Sequence, residues 1–310
     1  MIAILLKTLP FFALIGLGFW AGHRRIFPPE AVGWLTKFVF YFALSAMLFR
    51  FAANLSLAEI FDLPFVLAYL SASLLLYVTV MALALWRGTP LEEATMEAQC
   101  AQSGNTGFLG VPMLVVLLGP AAAGPVLMVL TVDMVVFSSL FTLIITGAAR
   151  RVARPLDLRR LLALGWLLKN PMIVSIVLGL IWSGAALPLP GPVNEFLAIL
   201  GGAATPGALF AIGASLAGRG APRLGNAVWL SFAKLVLHPA LVAVSALWLF
   251  RIDPQPAGVM IAAASLPVAG NLYILAQHYG VAPQRVSTAI LISTAASILT
   301  VTAVIAWITG

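Results

Sequence analysis

The sequence predicts an all-α membrane protein: ten transmembrane helices in two inverted five-helix repeats, with helices 4 and 9 broken. Three observations predict it. The chain is 62% hydrophobic and only 9% charged, against about 25% charged for an ordinary soluble domain, so a soluble fold would lack the polar groups to cover its surface. Its apolar runs are long enough to cross a bilayer, which takes roughly 17 to 25 residues per helix. Its basic residues collect on alternate connections, and an odd number of spans before the midpoint turns the second half over.

The spans fall at about 3–22, 31–50, 64–86, 96–118, 122–149, 161–183, 194–217, 225–250, 257–279 and 285–308. Segments 96–118 and 257–279 contain helix breakers, and the alternative is eight or nine spans with re-entrant loops. Lys7 precedes the apolar run Phe11–Trp20 as in a secretory leader. Its surroundings lack a small-residue cleavage context and further apolar segments follow, so the run reads as a retained helix. Residues 1–149 then form the first repeat, 150–160 a short basic linker, and 161–310 the second repeat.

Orientation follows from the arginines. One side collects Arg24, Arg25, Lys37, Arg87, Arg150, Arg151, Arg154, Arg159, Arg160, Arg219, Arg223 and Arg285, the other only Lys7, Arg50 and Arg251. The basic side should face the cytoplasm, with both termini outside. Topology thus accounts for the net charge of +7, and with no recognisable module no nucleic-acid partner is expected. The run "RRVARPLDLRR", Arg150 to Arg160, suits helix ends resting on anionic lipid. Trp20, Trp34, Trp86 and Trp182 sit near predicted helix ends, where indoles anchor the interface.

Catalysis finds little support. A single cysteine, Cys100, excludes an internal disulfide and a thiolate cluster. His23, His238 and His278 are far apart and lack metal-site spacing. No nucleotide-binding signature or catalytic set is present, so neither an enzyme nor a cofactor is expected.

The breakers carry the functional signal. Ser103 to Met113 reads "SGNTGFLGVPM", and 265–276 reads "SLPVAGNLYILA". Each combines a Gly-Asn pair, Gly104-Asn105 or Gly270-Asn271, with a proline, Pro112 or Pro267. Proline removes an amide donor and glycine lets the backbone leave helical geometry. In hydrocarbon the freed groups cost several kcal/mol unless protein, water or a ligand answers them. Two half-helices whose ends meet near mid-membrane would do so, with amino ends suited to an anion. Asn105 and Asn271 add donors and acceptors without fixed charge. Ser103, Thr106, Gln99 and Tyr273 extend the polar lining, and Gln277 shares a helical face with Tyr273.

Asp133, in "VLTVDMVVFSSL", is the acidic residue placed well inside a span, and such a group is a functional candidate by default. Proton uptake, cation coordination and pairing with a base are all open to it. Lys234 and His238 lie four apart on one helical face, and either could pair with Asp133. Lys169, beside Asn170 and Pro171, fits a lysine reaching for the interface.

Taken in order, "SGNTGFLGVPM", "KNPMIVSIVLGL" at 169–180, "TPGALFAIGASLAG" at 205–218 and "SLPVAGNLYILAQHYG" at 265–280 resemble the auxin efflux carrier family, particularly its bacterial branch of malonate transporters. The resemblance covers nearly the whole chain. It implies a fold shared with sodium/bile-acid symporters, in which the broken helices 4 and 9 are crossed, helices 1, 2, 6 and 7 form a scaffold and the other six a transport domain. It implies substrate contact at Asn105 and Asn271, an elevator-like mechanism, a homodimer through the scaffold, and a bacterial cytoplasmic membrane. The short Ala149–Arg160 connection lacks the long loop of plant relatives, so regulation through that loop is not implied. The sodium-binding pattern of the symporters is not evident, which leaves proton coupling, sodium coupling and passive movement open. The function expected is secondary transport of a small organic anion. A membrane ligand sensor and a channel are the alternatives.

Overall fold

A computed structural model of the protein describes residues 2–54, 62–150, 171–185, 187–217 and 224–310. In chain order its helices are α1 (Ile2–His23), α2 (Pro29–Ala53), α3 (Leu63–Trp86), α4 (Leu91–Gln102), α5 (Thr106–Leu118), α6 (Pro120–Ile145), α7 (Pro171–Gly184), α8 (Gly191–Leu216), α9 (Leu224–Leu249), α10 (Pro254–Ala264), α11 (Asn271–Tyr279) and α12 (Pro283–Thr309). The final turns of α6 run on to Arg150.

The expected ten spans in two inverted five-helix repeats are overturned. Among the described residues six helices are long and apolar enough to cross a membrane: α2, α3, α6, α8, α9 and α12. Shorter apolar stretches lie at Leu9–His23, Thr106–Leu118 and Val174–Gly184. The reason is largely in the breakers. The segment expected at 96–118 divides into α4 and α5, and that at 257–279 into α10 and α11. With 12, 11 and 9 residues, α4, α10 and α11 rise about 1.5 Å per residue and fall short of the roughly 30 Å hydrocarbon core. The first half of segment 161–183, most of the basic linker, and Lys169, Asn170, Arg219 and Arg223 lie outside the described residues.

Proline opens α10 and α12 at the first helical position, where its missing N–H has no partner to lose. Asp62 caps α3 by accepting from the Phe65 amide at 3.2 Å, which satisfies one of the unpaired donors of a helix start. Side chains do not distinguish the two faces of α3 by hydropathy. Its inward face is marked instead by buried Tyr69, Ser73 and Tyr77. Trp20, Trp34 and Trp86 are exposed, whereas the Trp182 indole N–H is buried without a partner.

Lipid tails are as apolar as leucine, so helices in a bilayer associate through close packing of small residues. The α1–α8 contact illustrates this. A Cβ on Gly213 would lie 1.9 Å from the Ile15 carbonyl oxygen, and one on Gly18 2.1 Å from that of Phe210. Helix α2 packs on α7 and α8, while α3 packs on α4 and α9, and α9 on α10 and α12. Helices α2, α5, α6 and α9 contain π-helical turns. Such turns often mark functional positions. Three of them hold Thr106, Asp133 and Lys234.

Candidate functional site

The two interruptions meet. The Asn105 amide donates to the Pro267 carbonyl at 2.8 Å, and the Ala269 amide donates to the Ser103 carbonyl at 3.0 Å. Gly104 and Val268 thus face each other across a short antiparallel bridge. The Val268 amide donates to Ser293 Oγ on α12 at 3.1 Å. Pro267, which has no N–H, uses the one backbone group it has. Space is tight for a side chain at two glycines here. A Cβ on Gly104 would lie 3.2 Å from Lys234 Cε and Nζ, and one on Gly110 would lie 2.6 Å from Leu266 Cδ1.

Around the bridge stand four helix ends. At the start of α5, Leu109 and Gly110 both donate to the Asn105 carbonyl, at 3.0 and 2.9 Å. The amides of Thr106, Gly107 and Phe108 precede these bonds and are the kind of helix-start donors that have no partner within their helix. At the start of α11, the Leu272 and Tyr273 amides donate back to Ala269 and Gly270 at 3.2 and 3.3 Å. The α5 end is therefore the more open to an anion. The carboxyl end of α10 is capped by a cation: Lys234 Nζ donates to the carbonyl of Ala264, the last residue of α10. Positive charge there complements the helix dipole.

Beside the bridge is a small, partly enclosed cavity lined by Gln99, Ser103, Gly104, Asn105, Asp133, Ser138 and Asn271, with Gly107, Phe108 and Leu272 among the apolar remainder. Of the residues expected from the sequence, Ser103, Gly104, Asn105, Asn271 and Asp133 come together here. Thr106 is buried with its Oγ1 unbonded. Pro112 is buried within α5, Pro267 contributes its carbonyl, and Gly270 sits against Ile212. Tyr273 is half-buried against the core. The side chain of Gln277 lies outside the described residues.

A directed chain of hydrogen bonds leads to Asp133. Gln99 Nε2 donates to Ser103 Oγ at 2.8 Å, Ser103 Oγ donates to Gln102 Oε1 at 2.8 Å, and Gln102 Nε2 donates to Asp133 Oδ1 at 2.6 Å. Tyr69 Oη donates to the same oxygen at 2.9 Å. Asp133 thus forms no ion pair with Lys234 or His238 among the described residues. Lys234, fully buried, is instead 2.9 Å from His238 Nδ1. His238 Nε2 is 2.9 Å from Ser73 Oγ. A lysine ammonium has only donors, so beside one His238 accepts at Nδ1 and donates from Nε2 to Ser73. Tyr69 links the two groups: its ring centroid lies 5.8 Å from that of His238. Tyr69, Ser73 and Gln102 are participants that sequence reasoning missed.

The family model described as "Membrane transport protein" matches residues 3–305. The chain belongs to this family. A Rhizobium meliloti (strain 1021) protein named "Putative malonate transporter" is 31% identical over 301 residues, covering 95% of this chain and 92% of the relative. "Auxin efflux carrier component 8" of Arabidopsis thaliana is 22% identical over 336 residues, covering 92% and 91%. The protein is a multi-pass membrane transporter.

In this transporter the broken segment is held from its far end by a buried carboxylate. Glu97 on α4 is 1% exposed and takes Arg285 of α12 at 2.5 Å and Arg87, just beyond α3, at 2.5 Å. Asn226 Nδ2 of α9 donates to Glu97 Oε1 at 2.9 Å, and Arg285 also reaches Glu93 at 2.9 Å. Three other elements therefore converge on the helix that leads into the first break. The signal in the sequence was the placement of Glu97 six residues before Ser103, on a helix otherwise buried.

Proposed function

We propose that the protein is a secondary transporter of a small organic anion, with a carboxylate such as malonate as substrate and elevator-like alternating access as its mechanism. The observation that carries this reading is the backbone bridge between Gly104 and Val268, which sets the open amino end of α5 against Asn105 and Asn271 in one cavity. Unpaired amides and neutral side-chain donors suit a carboxylate. The name of the Rhizobium relative supports the choice of malonate as the first substrate to try.

In this reading Asn105 and Asn271 contact the substrate, with Ser103 and Thr106 beside them. Gly104 and Gly270 keep the backbone approachable, and Pro112 and Pro267 maintain the breaks. Tyr273 closes one edge. Asp133, Lys234 and His238 adjust the local charge. The close α1–α8 and α2–α7 contacts support assigning these four helices to a static frame, against which the remainder moves. The protein would sit in a bacterial cytoplasmic membrane with its arginine-rich side inward.

Reconstituted proteoliposomes test the proposal. A panel of labelled mono- and dicarboxylates is offered with imposed proton or sodium gradients, and substrate on the opposite side is varied. Saturable uptake accelerated by opposite-side substrate is expected. Unaccelerated, non-saturating flux would indicate a channel, and binding without flux a sensor.

A further inference from the structure

The hydrogen-bond chain through Gln99, Ser103, Gln102 and Asp133 points one way. Each donation in it runs one step nearer to Asp133 Oδ1, and the chain leaves acceptor oxygens unused at two places. Asp133 Oδ2 and Gln99 Oε1 are both buried without a hydrogen-bond partner, on side chains whose residues are 6% and 1% exposed, and both residues line the cavity at the crossover. Burying an acceptor with nothing to answer it costs about 1–3 kcal/mol, and more for a charged group. Two such oxygens on one cavity call for a donor or a cation.

We infer that Asp133 Oδ2 and Gln99 Oε1 form a site for one monovalent positive charge, a proton or a sodium ion, that binds beside the transported anion. Among the described residues Asp133 is the one ionisable side chain lining the cavity, so a single positive charge neutralises it. Lys234 attracts Asp133 without contacting it, because its amine is engaged by Ala264 and His238 behind Gly104. A carboxylate substrate entering beside a bare Asp133 would meet like charge in a medium of low dielectric. With the cation in place the repulsion is removed, and each ligand raises the affinity for the other by the same factor. The inference rests on the transport reading for its purpose, but the site is testable without flux.

The groups that bear on the charge of Asp133 are Tyr69 on α3 and Gln102 on α4, which donate to it, Lys234 on α9, which acts on it directly by charge, and His238, which Lys234 and Tyr69 contact. The experiment compares melting of the purified wild-type protein in sodium chloride and in choline chloride at matched ionic strength, over a range of pH. The same curves are taken for Asp133→Asn, which keeps the shape and the acceptor for Tyr69 and Gln102, and for Gln99→Leu, which removes the second oxygen. If the charge is sodium, sodium alone raises the melting temperature, and Asp133→Asn weakens the apparent sodium affinity by about tenfold or more, as loss of a charged partner implies. If it is a proton, the pH dependence differs between wild type and Asp133→Asn while sodium has no effect. In both cases Gln99→Leu shows a weaker response than wild type. Identical sodium and pH responses in wild type and Asp133→Asn overturn the site, as would be found if water alone filled it. Should Asp133→Asn not fold, an unchanged response in Gln99→Leu overturns it equally. A protein that binds the cation but carries no carboxylate keeps this site and loses the transport reading.

Discussion

Asn105 and Pro267 are joined by a backbone hydrogen bond of 2.8 Å, although 162 residues separate them. Neither side chain takes part, so the contact depends on backbone that has left the helix in two places at once. The bond returns a partner to groups that would be costly to leave bare in the membrane, and it fixes where the Asn105 and Asn271 side chains stand.

That closeness requires glycine at position 110. The Cβ of Gly110→Ala would sit 2.6 Å from Leu266 Cδ1, and overpacking of this kind costs about 1–3 kcal/mol. Gly110→Ala is expected to lower both the melting temperature and carboxylate flux. Adding Leu266→Ala should restore part of the flux by removing the obstructing methyl. A double variant no better than Gly110→Ala would mean that the steric account is wrong.

The asparagines should matter for binding more than for folding. A neutral hydrogen bond contributes about 1 kcal/mol, so Asn105→Ala or Asn271→Ala should weaken apparent substrate affinity roughly fivefold while membrane insertion stays at parental levels. Substrate titrations of flux read this directly. Parental affinity in both variants would remove them from the site.

Two tyrosines eight residues apart on α3 should behave oppositely. Tyr69 donates to Asp133, and removing a bond to a charged group costs about 1.5–3 kcal/mol. Tyr77 is buried with its hydroxyl unpartnered, so deleting that hydroxyl relieves a penalty. Tyr69→Phe is expected to lower the melting temperature, and Tyr77→Phe to leave it unchanged or raise it. Equal losses in the two variants would contradict the assigned network.

Glu97 anchors α4 through two arginines and Asn226. Breaking a buried ion pair at one partner costs on the order of 3 kcal/mol, because the other charge is left unanswered. Glu97→Gln should therefore destabilise the protein by about that much, and more than the same change at the exposed end of the network, Glu93→Gln. Thermal unfolding of the two variants side by side makes the comparison.

The crossover was legible in the sequence because its signals are local: Gly104-Asn105, Pro267 and Gly270-Asn271 break helices wherever they occur. The number of full spans was not. In each of 96–118 and 257–279 one strongly apolar helix, α5 or α10, dominates the average over its less apolar neighbour, so each pair of short helices reads as one long one. Tyr69 was missed for a different reason. Helix α3 is apolar all round, and in lipid the outward face is no more polar than the inward one, so periodicity does not show which side a tyrosine takes. Glu97 drew no attention in the sequence, because the partners that accompany its burial include Arg285 and Asn226, 188 and 129 positions away. Asp133 stood out by its charge, but its partner did not, since Lys234 and His238 lay at equally suitable depths and turned to each other.

The central claim is that the transported anion occupies the cavity where the two breaks meet. Ser138 lines that cavity without belonging to the proposed substrate contacts, so Ser138→Cys, in a background with Cys100→Ala, places a thiol there. Its labelling rate by a small methanethiosulfonate is measured as the concentration of the transported carboxylate rises. The account predicts that labelling slows along the same saturation curve as flux, and that adding Asn105→Ala shifts the protection to higher concentration. A labelling rate unchanged at substrate levels that saturate flux would place the anion elsewhere.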